Sequence, residues 1–214
     1  MKLMKYMLGL STVALATAAQ AAPFAEGFNN VSALAASGWV FVNQSVPAGS
    51  TWFQGDNTSA FAAHAGPVNS YIAANYLSAA NGVSPVDLWL ISPYLALGSG
   101  SSVSFYARSA TDFGYDDSLD ILFTSIDSTS TANFSTVLAS NTLPTTDWAL
   151  YTLNLPNVSN GRLAFRYQAD LGNYIGIDTL TSVNVTPVPE PSTYALIALG
   201  LAGIAAARRA KSVV

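Results

Sequence analysis

The feature that most constrains what this chain can fold into is a series of short segments whose apolar residues recur at every second position. In SSVSFYARS these are Val103, Phe105 and Ala107; in SLDILFTS, Leu119, Ile121 and Phe123; in DWALYTLNLP, Ala149, Tyr151, Leu153 and Leu155; in GRLAFRYQ, Leu163, Phe165 and Tyr167. A period of two puts each set on one side of a pleated strand, which then needs a second layer over it. Gly, Pro, Asn, Asp and Ser punctuate the segments, as turns require. EGFN, WVFVN, TWFQG, YIAANYL, DLWLIS and YIGIDTLTSVNV extend the series to about ten to twelve strands at the spacing of a sandwich. The sequence therefore predicts an all-β chain, a jelly-roll antiparallel β-sandwich. One helical turn is expected in NNVSALAASG, and loops over 81–85 and 112–117.

Neither end follows this pattern. At the start, Lys2 and Lys5 precede an apolar run from Met7 to Ala19 and the small residues of Ala19-Gln20-Ala21. That is the layout of a secretory signal peptide over residues 1–21, cut before Ala22 by signal peptidase. At the other end, residues 188–214 hold a Pro-Glu-Pro turn, a short apolar helix from Tyr194 to Ala207 and the basic Arg208, Arg209 and Lys211. Fourteen helical residues span about 21 Å against a hydrocarbon core of about 30 Å, so the segment is marginal as a permanent transmembrane helix. Its basic end would stay cytoplasmic by the positive-inside rule, leaving Pro189, Glu190 and Pro191 at the outer face.

Between these ends, residues 22–187 suffice for one domain with a sizeable core. That region keeps three cations, Arg108, Arg162 and Arg166, against eleven carboxylates, a formal charge of −8. Such a surface repels phosphate backbones and anionic headgroups, which argues against nucleic acid as a partner. Cysteine is absent from an exported chain, so stability must come from the core or from a bound ion. Thiolate chemistry is excluded, and the single His64 cannot build a multi-histidine metal site. No paired carboxylates, Gly-x-Ser-x-Gly elbow, His-Glu-x-x-His or phosphate-cradling loop is found, so no catalytic residue is assigned and the chain reads as a non-enzyme.

Four groups remain as candidate sites. Asp112, Asp116, Asp117 and Asp120 crowd nine residues, either as an oxygen-rich Ca²⁺ loop without EF-hand spacing or as a solvated loop. Glu26 near the start of the domain and Asp178 in its last strand could share a structural Ca²⁺, with Asp56 a weaker third ligand; the alternative is a carboxylate bonded to backbone amides. Arg162 and Arg166 share a strand face, where they either hold a sugar acid or pair with neighbouring Asp residues. Among the tryptophans, Trp89 between Leu88 and Leu90 reads as core, whereas Trp52 beside Gln54, Asp56 and Asn57 is the candidate exposed platform for a sugar ring.

Two resemblances add to this reading. Val188-Pro189-Glu190-Pro191-Ser192-Thr193, followed by the apolar stretch and the basic end, resembles a PEP-CTERM sorting signal. That resemblance implies processing by an exosortase, a membrane transpeptidase, in a Gram-negative bacterium that makes exopolysaccharide and biofilm. FAEGFNN, GWVFVNQS, TWFQGD, DLWLISPYLAL, VSFYARS, FSTVLAS, DWALYTLNL, GRLAFRYQ and NYIGIDTL are similar to the choice-of-anchor J family, relatives of cleaved-adhesin and MAM-like domains. It implies a jelly-roll domain of adhesion or ligand binding, with Glu26 and Asp178 in the segments where some adhesin relatives hold structural Ca²⁺. The expectation is an exported, exosortase-processed surface or extracellular-matrix protein, tethered to the membrane only transiently. It would take part in cell adhesion or bind exopolysaccharide or cell-surface glycans; the alternatives are a matrix component without a ligand, or a hydrolase with an unrecognised Asp-based site.

Overall fold

Every one of the four alternating segments folds as a strand that turns its apolar set inward. In the computed structural model, which describes residues 22–58, 60–110, 114–115, 117–144, 146–189 and 197–204, ten strands follow a 3-10 turn at Val31–Ser37. They are β1 (Val40–Asn43), β2 (Phe53–Gln54), β3 (Ile72–Asn75), β4 (Val86–Ile91), β5 (Leu95–Ser109), β6 (Ser118–Thr124), β7 (Thr136–Thr142), β8 (Ala149–Asn154), β9 (Asn160–Ala169) and β10 (Tyr174–Pro187). The signal-peptide expectation for 1–21 lies outside the described residues, as do Asp112, Asp116, Glu190, Pro191, Arg208 and Arg209.

Two antiparallel sheets result. One runs β1-β4-β9-β6-β7 and the other β2-β3-β10-β5-β8, joined at a corner where Leu95 and Ala96 of β5 pair with Gly161 and Asn160 of β9. This is the jelly-roll β-sandwich that the alternation demands. Val103, Phe105, Leu119, Ile121, Phe123, Leu163, Phe165, Tyr167, Ile175 and Ile177 fill the space between the sheets. Each such side chain contributes about 1.5–3 kcal/mol on leaving water, which is how a Cys-free domain of this size holds together.

The outer faces are less simple than alternation suggests. On the second sheet, the loop over residues 55–71 crosses the strands as a strap and seats Phe61 among Tyr71, Trp148 and Tyr174 at ring distances of 5.3–5.4 Å. The Arg108 guanidinium lies 4.2 Å over the Phe61 ring. Gly176 of β10 leaves room for this cluster: a Cβ there would meet Trp148, Phe61 and Tyr71 at 2.8–2.9 Å. On the first sheet, Trp89 packs with Ile91, Leu122, Phe134 and Ala164, so it is buried as expected but outside the main core.

Both ends of the domain meet on β10. The Phe24 N–H donates to the Val185 carbonyl at 2.8 Å, and Glu26 and Leu180 exchange backbone bonds in an isolated bridge. Beyond Pro189 the described chain resumes as a helix over 197–204, the central part of the expected apolar helix. Among the described residues no helix is long and apolar enough to cross a membrane.

Candidate functional site

The bridge between Glu26 and Leu180 brings the two ends of the domain together beside one cleft. Ala25, Glu26, Gly27 and Asn29 line one side, Asp178 to Thr181 another, and Ala65 and Gly66 of the strap close it, around about 360 Å³. Glu26 and Asp178, 152 positions apart by number, thus face the same space. Asp56 does not line it. Its Oδ1 instead accepts from the Thr58 N–H and hydroxyl at 2.9 and 2.8 Å, a local turn that keeps it away from the pair.

The two carboxylates sit in different surroundings. Glu26 is half-buried and its Oε1 accepts from the Phe28 N–H at 2.8 Å. Asp178 is 1% exposed, and accepts from the N–H groups of Ala65 at 3.1 Å and Thr179 at 2.6 Å. Burial pushes the Asp178 carboxyl above its ordinary range, and the backbone donors of Ala65, Thr179 and His64 recover part of that shift. Phe28 and Thr179, one on each side of the cleft, hold φ of 49° and 51°. For a β-branched residue such as Thr179 this left-handed backbone is strained, and strain of this kind gathers where side chains are being aimed. Among the described residues no group of three or more Asp, Glu, His or Cys forms a metal cluster. What the cleft offers is two carboxylates and the amide-bearing Asn29, oxygen-carrying side chains of the kind a hard cation takes.

The remaining expectations resolve one by one. Trp52 is 3% exposed and packed into the core between the sheets, so it cannot serve as the exposed sugar platform. Its polar neighbours misled: the Gln54 side chain turns to Val31, Phe28 and Asn69 in the loops above β2 while the indole goes inward. Arg166 forks onto Asp87 with two contacts of 2.7 Å, and Arg162 holds Asp127 at 2.7 Å and the Ser92 carbonyl at 2.8 Å. The arginines therefore pair with Asp neighbours rather than standing ready for an acid. Asp117 is not solvated: it is buried and accepts from the Tyr167 hydroxyl at 2.6 Å and the Asn173 N–H at 3.0 Å, while Asp112 and Asp116 of the same group lie outside the described residues. Asp120 lies on β6, beside Arg166 across the strand pair.

Sequence reasoning missed a surface next to the cleft. Beyond the strap, the outward residues of β10, β5 and β8 form rows set by register: Thr181–Ser104–Thr152 and Val183–Ser102–Asn154, with Tyr106 beside Leu150. His64 stacks on Tyr106 with ring centroids 3.4 Å apart, and its Nδ1 lies 3.0 Å from the Thr179 hydroxyl. Leu150 is 56% exposed. Over 95–107, 149–154 and 179–187 these three strands hold no charged residue, although the domain carries eleven carboxylates. A face of hydroxyls, amides and one stacked ring pair thus adjoins the cleft, sharing Thr181 with it. Only the register between strands separated by about 50 to 80 residues assembles it, which no local pattern reports.

Comparison with known proteins bears on both the fold and the tail. Residues 187–210 match the PEP-CTERM protein-sorting motif. The chain thereby carries the mark of an exported, surface-associated protein. Its fold is similar to the K1 cleaved adhesin domain of Lys-gingipain from Porphyromonas gingivalis W83, with a TM-score of 0.57 at 19% identity over 78% of this chain and 99% of that one. The K2 cleaved adhesin domain of Lys-gingipain gives a TM-score of 0.58 at 19% identity, over 76% of this chain and 99% of that one. No curated protein matches the sequence.

Proposed function

We propose that this is a non-catalytic adhesion domain that binds neutral polysaccharide at the cell surface or in the extracellular matrix, delivered there by exosortase processing of its tail. The absence of Asp, Glu, Lys and Arg over 95–107, 149–154 and 179–187, the stretch of β10, β5 and β8 beyond the strap, is the observation that carries the reading. On a domain of formal charge −8 an acidic glycan is repelled, whereas an uncharged chain approaching this face meets hydroxyls, amides and the His64–Tyr106 stack without desolvating any ion. In the same reading the Glu26–Asp178 cleft takes one structural Ca²⁺, which would tie the domain's first residues to β10 and neutralise the buried Asp178. The exopolysaccharide of a Gram-negative biofilm fits as the source of the ligand.

The test is retention of the exported protein on insoluble glucan or xylan against retention on alginate, at low and at high salt. Neutral chains should retain it with little salt dependence. Leu150→Asp, a charge placed on the face, should weaken retention about tenfold or more, while Val137→Asp, equally exposed on the other sheet, should not. Equal retention of both variants removes the face from consideration. Failure on every polysaccharide favours a matrix component without a ligand.

A further inference from the structure

The sorting motif begins inside the fold. Its first residue, Pro187, is also the last residue of β10 and pairs with Leu95. One residue further, the Val188 N–H donates to the Tyr94 carbonyl at 2.9 Å, so backbone pairing continues into the motif. Upstream, Thr186 pairs with Ala96 and Val185 with Leu97. Val185 is buried in the core, and its carbonyl accepts from Phe24 on the other side. A register shift between Val183 and Val185, with Asn184 at φ 55°, sets these last rungs apart from the rest of β10. Residues 185–188 are therefore a short paired unit with a joint at its head.

A peptide recognised in extended form gives its backbone N–H and C=O groups to its partner, as an added strand does. Here the residues immediately before Pro189 have already given theirs to β5 and to the N-terminal segment. Little slack exists to compensate. Seven residues, 190–196, separate Pro189 from the helical stretch at 197–204, and fully extended they reach at most about 25 Å. A protease working at the membrane face thus meets the folded domain at the mouth of its cleft. Release of residues 185–188 would add about 13 Å of free chain and supply the extended segment upstream of the motif.

We propose that the terminal rungs of β10, residues 185–188, form a latch over the sorting site, so that the processing protease cuts the tail only after these rungs part from β5. This inference rests on the reading of the tail as a processed signal and adds the condition under which the cut occurs. Cutting then proceeds at a rate set by the open fraction of the latch, in the way local opening governs proteolysis of other folded chains.

The experiment locks the latch in the full-length protein. Ala96 and Thr186 are direct cross-strand partners, and opposite residues of an antiparallel pair stand about 4.5–5.5 Å apart at Cα, within reach of a disulfide. The chain has no cysteine of its own, so Ala96→Cys with Thr186→Cys forms a single defined bridge. Expressed in a host that holds the protease, parent and locked chains are pulse-labelled and the loss of the tail is followed on gels, with and without dithiothreitol. The oxidised chain should be cut at least tenfold more slowly than the parent, and reduction should restore the parent rate, which separates locking from misfolding. Ten Gly and Ser residues inserted between Val188 and Pro189 should make the oxidised chain as fast as the parent. Equal rates for parent and oxidised chains, or no rescue by the insertion, overturn the latch while leaving the processing reading intact. A parent chain that is never cut overturns both.

Discussion

Two residues of β10 show how little freedom the second sheet has. Gly176 is surrounded by Trp148, Phe61 and Tyr71, so Gly176→Ala forces the strap's aromatic cluster apart. Overpacking of this kind costs about 1–3 kcal/mol, and Tm should fall by about 3–10 °C in a thermal scan; an unchanged Tm would show that the cluster yields freely. Asp178, two residues on, is a buried carboxyl that holds its proton more tightly folded than unfolded. The sign follows: protonation favours the folded state, and this contribution is lost as pH rises through the interval above the ordinary aspartate value of about 4. In EDTA, Tm of the parent should therefore decline relative to Asp178→Asn as pH climbs from about 3.5 to 7. Parallel curves for the two proteins would mean that burial of this carboxyl has no net consequence.

The strap over residues 55–71 and the strands beneath it belong together as an element, and Phe61 is their common anchor. Phe61→Ala removes ring contacts to Tyr71, Trp148 and Tyr174 at once. The strap should then open locally while the sandwich stays closed, seen as limited proteolysis confined to residues 56–70 with little change in the main thermal transition. Cleavage spread over the whole chain would instead make the strap part of the global fold. This element also marks the boundary of what the sequence could reveal. Alternation in β5, β6, β8 and β9 showed the inward sets because each is a local periodic property of a half-buried strand. Phe61 gave no such sign, since its partner Tyr174 lies more than a hundred residues away and burial on an outer face depends on which loop happens to cover it. Trp52 failed for a related reason: polar neighbours in sequence were read as polar surroundings in space. Glu26 and Asp178 were legible as a pair through the meeting of first and last strands, while Asp56, with its own turn to hold, was not part of it.

For the whole molecule, the meeting of both ends on β10 turns the cleft into a closure of the chain. If Ca²⁺ occupies the Glu26–Asp178 cleft, binding to the folded state alone adds stability with concentration, about 2.7 kcal/mol at a hundred times the dissociation constant. Calorimetry should show EDTA lowering Tm by about 5–10 °C and excess Ca²⁺ restoring it, with Mg²⁺ weaker because it demands a tighter octahedral shell; identical scans in EDTA and Ca²⁺ would sink the ion. The same topology has a bearing on timing. Among the described residues β10 is the last strand in chain order, yet it stands inside its sheet between β3 and β5, so the second sheet cannot close until residues 174–187 have left the ribosome. Nucleation that depends on such distant segments is slow. A polypeptide whose keystone follows the strands it joins stays threadable until that segment is made, and a narrow translocation channel would receive it before it could set.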